Sequence, residues 1–244
     1  MAKEMTEEEF LKNYHSNHFE RPNVVVDAVI FTVLDNKLQL LTMKRANHPF
    51  KDHWSLIGGF IDIHQDQDIE ATAKRKLIEK TGVDTPYLEQ FGSIGNETRD
   101  PRGWSVTNIY FALIPNEKVE LEIGQGATDI KWSVIENGII EDDLAFDHEF
   151  ILKGCLERLR SKVLYTTLPV HFMPEQFTLR QLQNVYEIIL GQKIEHKSFR
   201  RRMLGADLLE ETGAMSHERG RPAAFYKRIS DKTHYFMRNF EGGK

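Results

Sequence analysis

The chain has almost no cysteine. Cys155 is alone in 244 residues, which excludes an internal disulfide, and the ten histidines fall into no Cys/His spacing of a structural zinc site. A reducing compartment follows, with the cytoplasm of a cell as the expected location. Long apolar runs are also missing: none approaches the roughly 20 residues that a membrane span requires. Met1 to Arg21 is charged and polar, so neither a secretory leader nor a membrane partner is expected. Internal repeats and low-complexity tracts are absent, which excludes a solenoid or a tethered array.

What is present is enough apolar material, 40% of residues, to build cores, in a chain long for one ordinary domain and comfortable for two. Its charge is uneven. Residues 166–244 carry 13 Lys and Arg against 9 Asp and Glu, a balance of +4, which leaves 19 against 28, or −9, for residues 1–165 and sums to the overall −5. A basic C-terminal portion attached to an acidic one predicts that the tail meets a polyanion. Two prolines, Pro169 and Pro174, end a helical pattern just beyond Tyr165 and place the expected boundary between domains 1–165 and 166–244.

Thr6 and Glu9 predict a capping box on a short N-terminal helix. Asn23 to Leu34 is a β-branched run fit for a buried strand; Asp35-Asn36-Lys37 turns it back into Leu38 to Arg45 as a hairpin. Pro49 to Ile57 reads as a further strand, with Trp54 packing in the core more readily than stacking on a ligand. Gly58-Gly59-Phe60-Ile61-Asp62 then ends a strand and opens a loop. Asp68 caps the following helix, Ile69, Ala73 and Leu77 form its buried stripe, and Gly82 sits at its C-terminal cap.

These residues resemble the box of the Nudix hydrolase family, G-x5-E-x7-R-E-U-x-E-E-x-G-U with U a bulky apolar residue, matched here by Gly59, Arg75, Leu77, Glu79, Gly82 and Val83. The fold this implies is α/β, a mixed sheet sandwiched by helices. The departures change the chemistry. Lys76 and Lys80 stand where the pattern has glutamates that serve the family as base and as Mg2+ ligands, and the loop is two residues longer, putting Gln65 or Asp66 at the place of the loop glutamate. Exchanging two carboxylates for two ammonium groups shifts the local charge by about four units, so a metal is repelled and an anion attracted. No catalytic residue, no metal site and no cofactor is therefore expected, although the same charges could decorate a solvated helix face as i, i+4 pairs.

Further on, Arg99-Asp100-Pro101-Arg102-Gly103 forms a turn ahead of a long aromatic and β-branched strand, an arrangement similar to Nudix proteins acting on ADP-ribose. Independently of that likeness, Arg99 and Arg102 on a tight turn suit bidentate bonds to a diphosphate, and Trp104 offers a face to an adenine. Gly59, Lys76 and Lys80 complete the expected ligand set. Trp132 closes another strand, and Phe146 to Leu159 suits a helix on the sheet. His148, between two acids and with no partner ligands, reads as a surface histidine.

Past the boundary, Thr178 and Gln181 form a capping box, Leu182, Val185, Tyr186 and Ile189 an apolar stripe, and Gly191 a helix end. After a short turn, Phe199 and Met203 face inward on a second helix and leave Lys197, Ser198, Arg200, Arg201 and Arg202 outside, the pattern of a helix-turn-helix whose second helix enters the major groove. Leu208 to Thr212 and Pro222 to Ile229 predict a wing hairpin, with Arg219-Gly220-Arg221 at a tip suited to phosphates or a narrow minor groove. A degenerate Nudix domain joined to a winged helix resembles the NrtR family of Nudix-related transcriptional regulators of NAD metabolism. That resemblance implies a bacterial repressor of NAD biosynthesis or salvage genes, a homodimer on a palindromic double-stranded operator, and ADP-ribose as the ligand that lifts repression. Two other readings stay open. One is an active Nudix ADP-ribose pyrophosphatase with accessory DNA binding, in which Asp62, Asp66, Glu70 and Glu79 supply oxygens to Mg2+. The other is a nucleotide-binding module whose basic tail meets protein or RNA.

Overall fold

One strand organises the N-terminal half. In the computed structural model, which describes residues 5–15, 20–82, 85, 87–115, 121, 123–216 and 222–240, β1 (Asn23–Leu34) is buried from residue 25 through residue 32. Eight buried positions in a row mean that both faces of the strand are covered, which is why its sequence reads as a continuous apolar run and not as an alternation. It turns through Asp35 and Asn36, at φ 51° and 56°, into antiparallel β2 (Lys37–Arg45). Asp and Asn tolerate this left-handed geometry better than other side chains.

On the same edge of β1 as β2 lies β4 (Ile57–Phe60), antiparallel, and on the other edge β6 (Ser105–Leu113), parallel. The two-residue β3 (Trp54–Ser55) and β7 (Ala127–Val134) pair with β2, and β5 (Leu88–Asn96) pairs with β6. Residues 49–53, expected as part of a strand, instead form turns, with Phe50 and Asp52 at positive φ. Of the expected interval, Trp54 and Ser55 form β3 and Ile57 opens β4.

Alternation along β1 assigns each face to a helix. Val29 and Phe31 pack with Phe111, Ile151, Leu152, Cys155 and Leu159, which places helix α3 (His148–Tyr165) on one side. Val26, Ala28 and Ile30 share the other side with Ala73 and Leu77 of helix α2 (Ile69–Thr81). The short N-terminal helix α1 (Glu7–Asn13) carries the expected Thr6/Glu9 capping box and buries none of its side chains. The Nudix sheet with its covering helices is therefore the observed architecture, and no helix among the described residues is long and apolar enough to cross a membrane.

The core does not stop at residue 165. The apolar cluster beneath α3 continues through Leu168, Val170 and Phe172 of a 3-10 turn into Leu182, Tyr186 and Ile189 of α4 (Leu179–Leu190) and Phe199 and Met203 of α5 (His196–Leu204). A three-stranded sheet in the order β8 (Phe177–Thr178), β10 (Ala223–Arg228), β9 (Leu209–Ser216) closes this second unit. Tyr186 donates its hydroxyl to the Thr166 carbonyl at 2.8 Å, and Arg160 of α3 donates to the Ile189 carbonyl at 3.3 Å. The two units thus meet along α3 and α4, with buried apolar side chains as the cement.

The loop between β4 and α2 is fixed by a clamp. Asp66 accepts from Arg75 Nε at 2.7 Å and Nη2 at 2.6 Å, and also from Thr72 Oγ1 and the Asp62 amide. Of the two residues placed opposite the loop glutamate of the family pattern, Asp66 is the one that takes up the arginine, and the longer loop gives its shorter side chain the reach. The Arg75 guanidinium holds the Asp66 carboxyl well below its ordinary value of 3.8. Its stabilising contribution is then complete above pH 3.8 and is lost as the pH falls toward the depressed native value. Asp66→Asn is expected to cost about 2 kcal/mol at pH 7, the scale of charge-assisted hydrogen bonds, and to flatten the acid limb of a stability profile measured by denaturant unfolding from pH 7 to pH 3.

Candidate functional site

The cleft lies where β1, β4 and the turn at residues 97–104 converge, a space of about 340 Å3 lined by Asp27, Arg45, Gly58, Gly59, Phe60, Arg99, Arg102 and His148 among others. Its floor needs glycine. A Cβ on Gly58 would stand 2.4 Å from the Val26 carbonyl oxygen, so β4 can lie this close to β1 only without a side chain there. Gly59, at φ 156°, lies against the Lys76 side chain, whose Cε would be 3.2 Å from an added Cβ.

The two arginines of the turn do different things. Arg99 is buried. Its Nε and Nη2 each meet the Asp147 carboxylate at 3.0 Å, Nη2 also meets Asp27 at 3.3 Å, and Nη1 meets Ser105 Oγ at 3.3 Å. It spans β1, β6 and the residue just ahead of α3. Arg102 is bound to Asp100 through Nε at 3.0 Å and Nη2 at 2.7 Å, is 41% exposed, and lies over the Phe60 ring at 5.2 Å. Arg102 is thus the one that presents donors to the cleft, while Arg99 is chiefly engaged with protein.

Arg45 is the cation that sequence reasoning missed. It donates Nε to the Pro49 carbonyl at 2.8 Å, stacks 4.7 Å from the Phe146 ring, and has no ion-pair partner among the described residues. Burial and, after it, the nearby Arg102 charge lower its pKa, against the opposing pull of Asp100 and Asp27. The only hint in the sequence was its place at the end of a hairpin strand leading toward the glycines.

His148 requires a correction. It is not a surface histidine: it is 4% exposed, its Nδ1 accepts from the Leu56 amide at 3.0 Å, and its Nε2 lies 3.7 Å from Asp27. Burial lowers its pKa, against the opposing pull of Asp27 and Asp147, so the ring is neutral near pH 7. The flanking acids suggested a polar surface, whereas position 148 is the first turn of α3 and faces the sheet. Asp27 was legible only as an isolated carboxylate inside an apolar strand.

The two lysines of α2 flank the cleft without lining it. Lys76 pairs with Glu79 at 3.0 Å beside Gly59; Lys80, 5% exposed, donates to the Gln125 carbonyl at 3.3 Å, and Gln125 is part of the cleft wall. Burial lowers the Lys80 pKa, opposed by Glu79 and reinforced by Lys76. Trp104 is half-exposed and packs on Gly95 of β5; it is not among the residues that line the cleft. Trp54 carries Lys131 Nζ over its ring at 4.2 Å.

The donor set does not fit Mg2+. Glu79 is taken by Arg75 at 2.9 Å and Lys76 at 3.0 Å, Asp66 by Arg75, and Glu70 by Lys74 at 2.6 Å. No cluster of three or more His, Cys, Asp or Glu side chains among the described residues is arranged to hold a metal ion.

At the other end of the molecule α4 and α5 form as their sequence predicts. The Thr178/Gln181 capping box starts α4 and Gly191, at φ 69°, ends it. Glu195 caps α5 by accepting from the Lys197 and Ser198 amides at 2.8 and 2.6 Å. Lys197, Arg200 and Arg201 are exposed on the outer face, and Ser198 is half-buried. Arg202 turns aside: it donates to the Arg238 carbonyl at 2.9 Å and stacks on Phe240 at 4.6 Å. The wing hairpin of β9 and β10 is present with a bulge between Ala224 and Tyr226. Its tip, with Arg219 and Arg221, lies outside the described residues.

Comparison with known proteins agrees with both units. The NUDIX domain family matches residues 24–146, and the family described as NrtR DNA-binding winged helix domain matches residues 169–228. A protein of Acinetobacter baylyi named ADPR responsive transcriptional repressor NtrR is 46% identical over 97% of this chain and 94% of its own length. Shewanella oneidensis NrtR in complex with a 27mer DNA superposes with a TM-score of 0.83 at 45% identity, covering 88% of this chain and 98% of that one. The NUDIX domain of the same protein in complex with ADP ribose gives 0.59 at 44% identity over 64% of this chain and 99% of that one. With a Nudix sheet, a winged helix behind it and identity at this level along nearly its whole length, the chain belongs to the NrtR family of Nudix-related transcriptional regulators.

Proposed function

We propose that this chain is a DNA-binding transcriptional repressor of NAD biosynthesis or salvage genes, acting in the bacterial cytoplasm and released from its operator by ADP-ribose held uncleaved in the Nudix cleft. The observation that carries this reading is α3, which begins at the cleft with His148 and ends against the helix-turn-helix at Tyr165. Eighteen residues span about 27 Å. A displacement at its first turn therefore reaches the winged helix as a rigid-body movement, without a further relay. The division of labour falls at residues 1–165 for sensing and 166–244 for DNA.

ADP-ribose carries a diphosphate, two riboses and an adenine. Arg45 and Arg102 supply charge-assisted donors to the diphosphate, with Arg99 behind them as the buried cation of the wall. Lys76 and Lys80 add positive charge from α2 and take the place of metal-binding glutamates. Gly59 lets the ligand approach the backbone, and Trp104 is the aromatic face nearest the turn in sequence. Loss of hydrolysis is supported by the engagement of Glu79, Asp66 and Glu70 in ion pairs.

The DNA side follows from α5 and the wing. A homodimer would present two basic helices to half-sites of a palindrome about 34–36 Å apart. Lys197, Ser198, Arg200, Arg201 and Arg202 belong to the helix, and Arg219 and Arg221 to the wing. For ADP-ribose to convert a population from 1:99 to 99:1, it must bind the DNA-incompetent arrangement roughly 10,000-fold more tightly than the other.

Two outcomes test the two ends separately. Arg201→Ala and Arg219→Ala should each weaken operator binding in fluorescence anisotropy and make its dependence on log salt concentration shallower by about 0.9 per lost phosphate contact; unchanged affinity and slope would remove the helix and wing from the interface. Arg102→Ala should lower ADP-ribose affinity in calorimetry by roughly 10- to 100-fold, the worth of one or two charge-assisted bonds, while operator affinity without ligand is kept. Undiminished ADP-ribose binding by this variant would place the diphosphate elsewhere.

A further inference from the structure

Beyond β10 the chain returns to α3 and α5 as a strap, residues 232–240, outside the span that matches the winged helix family. Its backbone closes the end of α3: Phe236 N donates to the Tyr165 carbonyl at 2.7 Å and Phe240 N to the Leu164 carbonyl at 3.0 Å, satisfying acceptors that a helix terminus leaves open. The Thr167 amide donates to the His234 carbonyl at 3.0 Å, and Thr166 bridges Tyr235. Phe240 packs on Tyr186 and Phe199 with ring centroids 5.3 and 6.0 Å away. The strap is therefore held against the C-terminal end of α3 and against Tyr186 of α4 and Phe199 of α5.

Between strap and α5 lies an open cavity of about 680 Å3 lined by Lys193, Glu195, Ser198, Arg201, Arg202 and Arg238, among others. Its charges do not cancel. Four of these residues are cationic and one is anionic, a balance of +3, and the Glu195 carboxylate is spent on the first amides of α5. Lys193 is paired with Glu187 at 2.6 Å. Arg201 and Arg238 are exposed and have no ion-pair partner among the described residues. Among the described residues the hydrogen bond at Arg238 uses its carbonyl, accepting from Arg202 at 2.9 Å, and leaves the guanidinium unengaged by an ion pair.

We propose that the strap is a third DNA-contacting element beside the second helix and the wing, with Arg238 reaching the backbone phosphates that border the groove occupied by α5. This rests on the reading that α5 enters the major groove. A groove about 12 Å wide places a phosphate strand close to either flank of an inserted helix. The flank bearing Ser198, Arg201 and Arg202 is the one the strap covers. Contacts to phosphate fix register without reading bases, so Arg238 adds affinity and no sequence preference.

The test uses the full chain on its operator duplex and on an unrelated duplex, over a range of salt. Arg238→Gln is expected to weaken both complexes by the same factor and to make the log affinity against log salt line shallower by about 0.9, with an unchanged thermal midpoint, whereas Arg238→Lys keeps the slope. If Arg238→Gln changes neither affinity nor slope while Arg200→Gln on α5 weakens binding, the strap is not in contact with DNA and the helix reading stands. If Arg200→Gln also changes nothing, the reading of α5 falls and the strap proposal falls with it.

Discussion

Arg99 is the point from which the cleft and its connection to the second unit are held. A guanidinium removed from water needs nearly all its donors satisfied, and this one finds Asp27 on β1, Ser105 on β6 and Asp147 at the start of α3. Removing one partner from a buried charge cluster of this kind typically costs 3–5 kcal/mol, so the three elements are kept in one arrangement. Because Asp147 precedes α3 directly, the wall of the cleft and the head of the helix are a single electrostatic unit. In the proposed reading, a diphosphate at Arg45 and Arg102 adds negative charge beside that unit, and ligand energy is exchanged there for movement of α3.

Helix α2 flanks the cleft with lysines where the family pattern has carboxylates. In the family pattern this helix presents carboxylates to a hard cation; here Lys76 and Lys80 stand at two of those places, and the remaining Glu79 is neutralised by Arg75 and Lys76. The two carboxylate positions have become lysines without rearrangement of the fold, because the same i, i+4 spacing, glycines and buried Ala73 and Leu77 serve either chemistry. A sensor needs affinity for the nucleotide and a coupling route; it does not need turnover.

Much of this was legible in the sequence where local physics decides. The limits of β1, the Asp35-Asn36 turn, the caps at Thr6, Asp68 and Thr178, and the glycine ends at Gly82 and Gly191 all depend on a few adjacent residues and form as read. Phe199 and Met203 are buried as their spacing requires. What escaped depends on residues far apart in the chain. His148 finds its partners at Leu56 and Asp27, and Arg99 its acids at Asp27 and Asp147, separations that no periodicity reveals. Arg45 stands in the cleft only because β2 and the following turns fold over it, and Trp104, prominent in the sequence, sits on Gly95 away from the cleft lining. The continuous core through Leu168 and Tyr186 was hidden as well, since two prolines marked a boundary in chain direction and not a gap in packing.

The central claim is that nucleotide binding alone, without cleavage, moves the winged helix. It is tested most directly by titrating ADP-ribose into the full-length protein bound to a fluorescent duplex from upstream of its own gene, with the nucleotide followed for AMP release in the same sample. Dissociation of the DNA with ADP-ribose recovered intact is the expected result. Cleavage of ADP-ribose in the presence of Mg2+ with no change in DNA binding would contradict it, and would mean that Lys76 and Lys80 had left an enzyme in place.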